Sequence, residues 1–190
     1  MVELTHRKAT TADIPALTGL MERAISGLMG PFLSPAQIKA SYELMGLDSQ
    51  LVTDGTYFVI QSAGRIVGCG GWSNRATLFG GNHTQGRDAT FLNPACDAAR
   101  VRAMYTEPAM ARVGIGRRII NICENAAHQA GFRKTELVAT MAGVPLYKAC
   151  GYSPIEAFDA ETSGGVFVPL LRMGKVLSFR PGGGPLNVSE

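Results

Sequence analysis

The chain has little of what would tie it to a special environment. Charged residues make up 17% of its 190 residues and aromatic residues 7%, with one tryptophan and three histidines. No apolar run reaches the roughly 18 residues of a membrane-spanning helix, so no membrane partner is expected. The N-terminus lacks the charged-then-apolar pattern of a secretory signal, and a cytoplasmic protein is expected. Cys69, Cys96, Cys123 and Cys150 recur every 27 residues, yet their flanks share nothing, which argues against a repeat. Without a C-x-x-C pair they offer no zinc knuckle or redox couple, and a cytoplasmic setting disfavours disulfides. His6, His83 and His128 are too scattered to complete a metal site with those thiols, so no metal is expected. A net charge of +3 is too small to mark a nucleic-acid binder, and no such partner is expected.

What the chain does have is an apolar content of 46%, a globular proportion. A single domain is expected over residues 1–179, burying roughly 70% of the surface its unfolded form exposes. Arg180-Pro181-Gly182-Gly183-Gly184-Pro185 reads as the start of a disordered tail, 180–190. Positive charge is concentrated: seven basic residues lie between Arg100 and Lys134, against only Glu107 and Glu124. That window suits a local anion site, although a solvated basic helix face has the same composition.

The apolar spacing organises the chain. A strand is expected from Val2 to Lys8, then a helix from the Thr10–Asp13 cluster to Gly30-Pro31 with Ile14, Leu17, Leu20 or Met21, Ala24 and Leu28 on one face. Ser34-Pro35-Ala36-Gln37 is a capping box for a second helix ending near Gly46. Tyr57-Phe58-Val59-Ile60, a turn at Ser62-Ala63-Gly64 and Arg65 to Trp72 read as a β-hairpin. Ser73 to Ala99 has no clear period and is expected to be a long loop. Val101 to Thr106 reads as a strand stopped by Pro108, and Ile115, Ile119, Ile122 with Cys123, Ala126 and Ala130 as the buried stripe of a helix closing at Gly131. A strand from Thr135 to Met141, a short helix from Val144 to Ala149 and strands at Tyr152–Ala157 and Gly165–Met173 complete the pattern.

Between the central strand and its helix stands Arg112-Val113-Gly114-Ile115-Gly116-Arg117. The first amides of a helix have no intrahelical acceptor and carry the positive end of the dipole, so a pyrophosphate is a natural ligand. Gly114 and Gly116 leave room for it, and Arg112, Arg117 and Arg118 add charge. A Walker loop would need Lys-Ser or Lys-Thr after the last glycine, where Arg117 stands, and a dinucleotide fingerprint would need a small residue at Ile119. A tight turn with no ligand fits the same glycines.

The neighbourhood resembles the GNAT superfamily of acyl-CoA N-acyltransferases. That family's Gln/Arg-x-x-Gly-x-Gly/Ala loop follows a strand and opens a helix, as here, and Pro145-Leu146-Tyr147-Lys148-Ala149-Cys150-Gly151-Tyr152 is similar to its Leu-Tyr-x-x-x-Gly-Phe/Tyr segment. One departure is that the Gln or Arg position falls on Ala111, leaving Arg112 one residue out of place. The resemblance implies an α/β (α+β) fold: a central, mostly antiparallel mixed sheet, splayed at the cofactor site, with helices on both faces. It implies acetyl-CoA as cosubstrate, bound by Tyr105 and Thr106 at the strand end and by Arg112, Val113, Gly114, Ile115, Gly116 and Arg117 in the loop. Tyr147 matches the tyrosine that protonates the departing thiolate, and a packing aromatic is its plainer alternative. Transfer is implied to a primary amine of a small metabolite, a polyamine-like compound or a peptide. Glu107, Glu136 or water would take the amine's proton, and a covalent role for Cys150 is disfavoured because the family transfers directly. A homodimer is among the assemblies implied. A non-catalytic acyl-CoA sensor keeping the same loop is the alternative.

Overall fold

The structure, a computed structural model, describes residues 3–178. The tail expected at 180–190 lies outside the described residues. The elements are β1 (Thr5–Lys8), α1 (Ile14–Leu28), α2 (Pro35–Leu44), α3 (Ser49–Thr53), β2 (Tyr57–Ser62), β3 (Arg65–Ser73), β4 (Ala99–Thr106), α4 (Ile115–Gln129), β5 (Lys134–Thr140), α5 (Val144–Ala149), β6 (Ser153–Glu161) and β7 (Phe167–Val176). The capping box holds at α2, where Ser34 Oγ accepts from Gln37 N at 3.3 Å and Gln37 Oε1 from Ser34 N at 3.0 Å. The one-turn helix α3 goes beyond the sequence expectation, because it is too short for an apolar period and is started by Asp48, whose carboxylate accepts from Gln50 N at 3.1 Å.

Seven strands form one sheet in the order β1-β2-β3-β4-β5-β7-β6, antiparallel throughout except where β4 runs parallel to β5. The β2–β3 hairpin turns at Ala63 and Gly64, both with positive φ (47° and 76°), the backbone a tight hairpin turn requires. Helices cover both faces. Leu17, Leu20, Met21 and Ile25 of α1 pack on Tyr57, Val59 and Tyr105, while Ile115, Ile119, Ile120 and Cys123 of α4 pack on Phe58, Ile60, Val101 and Leu137. This explains why Tyr57-Phe58-Val59-Ile60 is apolar without alternation: each face of β2 meets its own helix. Trp72 lies in the α4-side core, edge-on to Phe132 with centroids 6.0 Å apart, so its place is packing.

The sheet opens in its middle. β4 and β5 are paired only at Ala99↔Thr135 and Arg100↔Glu136, whereas β5 pairs with β7 along its whole length. The cause lies in β4. Against β3 the register passes from Gly71↔Arg102 to Cys69↔Tyr105, so Ala103 and Met104 together face Gly70. Ala103 sits at φ 52°, a left-handed conformation that bends the strand, as an extra residue in a β-bulge does. The Tyr57 hydroxyl holds this bulge by donating to Ala103 O at 2.7 Å. β4 therefore turns away from β5 after its first two residues.

Candidate active site

The opening between β4 and β5 leads into a cleft of about 550 Å³. Its walls come from α1, the end of β4, the start of α4 and α5, which meet here because α4 follows β4 directly and α5 follows β5. The size lies within the ordinary range for small-molecule sites.

The loop before α4 is shaped for an anion. Arg112 (φ 69°) and Gly114 (φ 90°) are both left-handed, and Gly114 caps α4 with no side chain bonded to its amides. Arg118 N is the first amide bonded inside the helix, to Gly114 O at 3.0 Å, so those of Ile115, Gly116 and Arg117 have no intrahelical acceptor. The two glycines serve different ends. A Cβ at Gly114 meets nothing within 4 Å, whereas one at Gly116 would lie 2.6 Å from Leu146 Cδ2 of α5. Gly116 is therefore needed for the close approach of α5, and the space it leaves is filled by Leu146.

Most of the loop residues singled out from the sequence line the cleft: Ala111, Arg112, Gly114, Ile115, Gly116 and Arg117, with Tyr105 and Thr106 at the end of β4. Ile115 has its side chain buried in the core, which leaves its amide as its contribution. Val113 is 53% exposed and its side chain is not part of the cleft wall. The Tyr105 hydroxyl is used in the fold, accepting from Gly46 N at 2.9 Å, so what it presents to the cleft is strand backbone.

Tyr147 closes the inner end of the cleft. α5 starts with Pro145 in its first turn and buries Tyr147 edge-on to Tyr152, with centroids 6.0 Å apart. The hydroxyls of Tyr57, Tyr105 and Tyr152 are all bonded within the protein, the last to Thr135 Oγ1 at 3.0 Å; Tyr147 borders the cleft together with Tyr105. Burial pushes its phenol well above the ordinary range, so it stays protonated.

The carboxylates considered as bases are placed elsewhere. Glu107 accepts from Arg23 at 2.9 Å, and Glu136 accepts from Arg100 at 2.6 Å and Arg172 at 2.7 Å, where β4 and β5 are still paired. Neither lines the cleft. Cys150 lies outside the cleft wall and burial raises its thiol, which makes it a poor nucleophile. Among the described residues no group of three or more His, Cys, Asp or Glu is placed to hold a metal ion, and no helix is long and apolar enough to cross a membrane.

Known proteins share the fold. No curated protein sequence matches the chain. Solved structures with the same fold include a GCN5-related N-acetyltransferase from Rhodopseudomonas palustris, at 15% identity and TM-score 0.68, covering 93% of this chain and 98% of that one. A GNAT superfamily phosphinothricin acetyltransferase from Sinorhizobium meliloti, solved with AcCoA, aligns at 18% identity and TM-score 0.62 over 97% of this chain and 94% of its own. The ribosomal-protein-S18-alanine N-acetyltransferase of Escherichia coli aligns at 15% identity and TM-score 0.57 over 95% and 97%. The model of the acetyltransferase (GNAT) domain matches residues 53–154, from the end of α3 to the start of β6 and so across the bulge, the glycine loop and Tyr147. With more than half of its length matched by that model, the chain belongs to the GNAT acetyltransferase family.

Proposed function

We propose that this acetyltransferase moves an acetyl group from acetyl-CoA directly onto the amine of an acceptor. The observation that carries the reading is that the uncapped start of α4, the unpaired end of β4 and Tyr147 all border one cleft. The three amides of Ile115, Gly116 and Arg117 and the side chains of Arg112 and Arg117 suit a pyrophosphate, each amide adding about 0.3 to 1 kcal/mol. Arg112 stands in for the side chain absent at Ala111, since both positions reach the cleft. Beyond Arg100 the edge of β4 that faces β5 is unpaired, which leaves strand backbone near Thr106 to bond an amide-bearing arm.

Acetyl-CoA supplies an acyl carbon on a thiol leaving group. The neutral amine attacks that carbon, a C–N bond forms as the C–S bond breaks, and the electron pair leaves on sulfur. Tyr147 gives its phenolic proton to the sulfur and regains one from water. Its raised pKa does not spoil the match, because a thiolate released into the same apolar site is destabilised in the same sense: burial pushes the Cys69 thiol up to about 12. The amine's proton passes to water, since no Asp or Glu lines the cleft.

Tyr147→Phe tests the assignment. The ring packing survives, so acetyl-CoA affinity should stay within about threefold while kcat falls about 100-fold or more. A wild-type kcat with a panel of amines removes Tyr147 from the reaction. Acetyl-CoA binding with no transfer to any amine by the wild type favours the non-catalytic sensor.

A further inference from the structure

A second, smaller cavity bears on the acceptor. Its volume is about 90 Å³, and it adjoins the cleft, sharing Met45, Met104, Tyr105, Thr140 and Tyr147 with it. At ~30 Å³ per water this is room for about three, the size of a carboxylate with one or two methylenes. The remaining wall is built mostly of aliphatic and aromatic side chains such as Leu44, Phe79, Val138 and Leu170, and its one charged member is Arg102.

Arg102 belongs to a buried cluster whose charges do not balance. Its side chain is 4% exposed and lies 2.6 Å from Asp48 Oδ2, an ion pair without hydrogen-bond alignment. The other oxygen of Asp48 accepts from Arg87 Nη2 at 2.6 Å. One carboxylate is thus shared by two guanidinium groups, and the nearby Arg75 is matched separately by Asp54 at 2.7 Å. The cluster keeps one positive charge in excess, partly relieved by solvent at Arg87 (24% exposed) but not at Arg102, where burial makes it costly. Desolvation accordingly lowers the pKa of Arg102. The guanidinium is also not saturated: Nη2 donates to Gly80 O at 2.7 Å, but Nε is buried without a hydrogen-bond partner.

From this cavity we infer that the acceptor is a short amine bearing a carboxylate, with the carboxylate held on the Arg102 side and the amine left beside Tyr147. Such a ligand neutralises the excess charge and adds a charge-assisted bond in a dry site. A polyamine does the reverse, bringing a second ammonium to a cavity whose only charged wall residue is Arg102, since Asp48 is already shared by two arginines behind that wall. The inference rests on the acetyl-transfer reading for the position of the amine, whereas carboxylate binding stands by itself.

The test compares 4-aminobutyrate and β-alanine with butylamine, propylamine and putrescine as acceptors for the full chain with acetyl-CoA. It also measures binding of 4-aminobutyrate to the CoA complex by calorimetry. The carboxylate-bearing amines should be preferred in kcat/KM by about tenfold to a hundredfold. That ratio should collapse towards one in Arg102→Met, which leaves Asp48 paired with Arg87, and recover in part in Arg102→Lys. The acetyl-CoA Kd serves as the folding control, because Arg102 does not line the large cleft. Transfer to butylamine or putrescine with no advantage for the carboxylate overturns the inference and leaves acetyl transfer standing. Saturable 4-aminobutyrate binding that Arg102→Met removes, without turnover of any amine, keeps the subsite and overturns acetyl transfer. Absence of both turnover and binding overturns both.

Discussion

Gly114→Glu puts the anion cradle under direct test, because the position separates conformational cost from charge. A Cβ there meets nothing within 4 Å, so no clash follows, but the residue sits at φ 90°. A non-glycine residue in that region costs about 1 to 2 kcal/mol, and a domain of this size should lose about 2 to 8 °C in Tm. Gly114→Ala carries the same backbone cost without the charge. The added carboxylate competes for the free amides of Ile115, Gly116 and Arg117 and stands about 5 Å from a bound pyrophosphate, a repulsion of about 1 to 3 kcal/mol. Once those amides are occupied by the new side chain, the total penalty reaches about 2 to 5 kcal/mol, a rise in CoA Kd of about 30-fold or more over Gly114→Ala. Calorimetry with CoA on both variants and wild type, alongside thermal melts, reads both quantities. A Gly114→Glu variant that binds CoA as tightly as the wild type would refute the cradle, and an equal fall in both variants would make the loop's role purely conformational.

Three further outcomes follow from the packing. Tyr57→Phe leaves the carbonyl of Ala103 without its 2.7 Å donor and should lower stability by about 1 to 3 kcal/mol in urea unfolding, with weaker CoA binding as the bulge relaxes; an unchanged midpoint refutes the clamp. Gly70→Ala places a Cβ 2.6 Å from Ile119 Cγ2 and 2.9 Å from Met104 Cγ, so overpacking should cost about 1 to 3 kcal/mol. Pairing it with Ile119→Ala should cost less than the two singles added, and strict additivity would show that α4 does not rest on β3 there. Burial raises the phenols of Tyr57, Tyr105, Tyr147 and Tyr152, so the native state keeps them neutral where the unfolded chain ionises. Stability is thus held below pH ~10 and lost above it at about 1.4 kcal/mol per pH unit for each tyrosine. A urea midpoint that stays flat to pH 11 would contradict their burial.

Much of the site is legible in the sequence where a local rule specifies it. The helix start at Gly114 and the stripe of α4 follow from apolar spacing and glycine position, and Val144–Ala149 is readable as a helix from Pro145 and its apolar neighbours. Other features have no local signal. Ala103 is an ordinary alanine whose left-handed backbone is imposed by its neighbours, so nothing in Val101 to Thr106 marks the bulge. Gly116 reads as clearance for phosphate, but its neighbour is Leu146, thirty residues away. Arg102 counts in the sequence only as one basic residue in a basic window, and it is folding that buries it beside Asp48 at the start of the one-turn helix α3.

By itself, the sequence determined the elements other than α3, their order and the glycine-capped start of α4, because periodicity, caps and glycine placement act within a few residues along the chain. The tertiary structure decided where β4 leaves β5, that Tyr147 and Tyr105 border the cleft, and that Glu107 and Glu136 are held by arginines outside its wall. Those outcomes depend on contacts between residues distant in sequence, such as Tyr57 with Ala103 and Arg102 with Asp48, whose partners are chosen by packing.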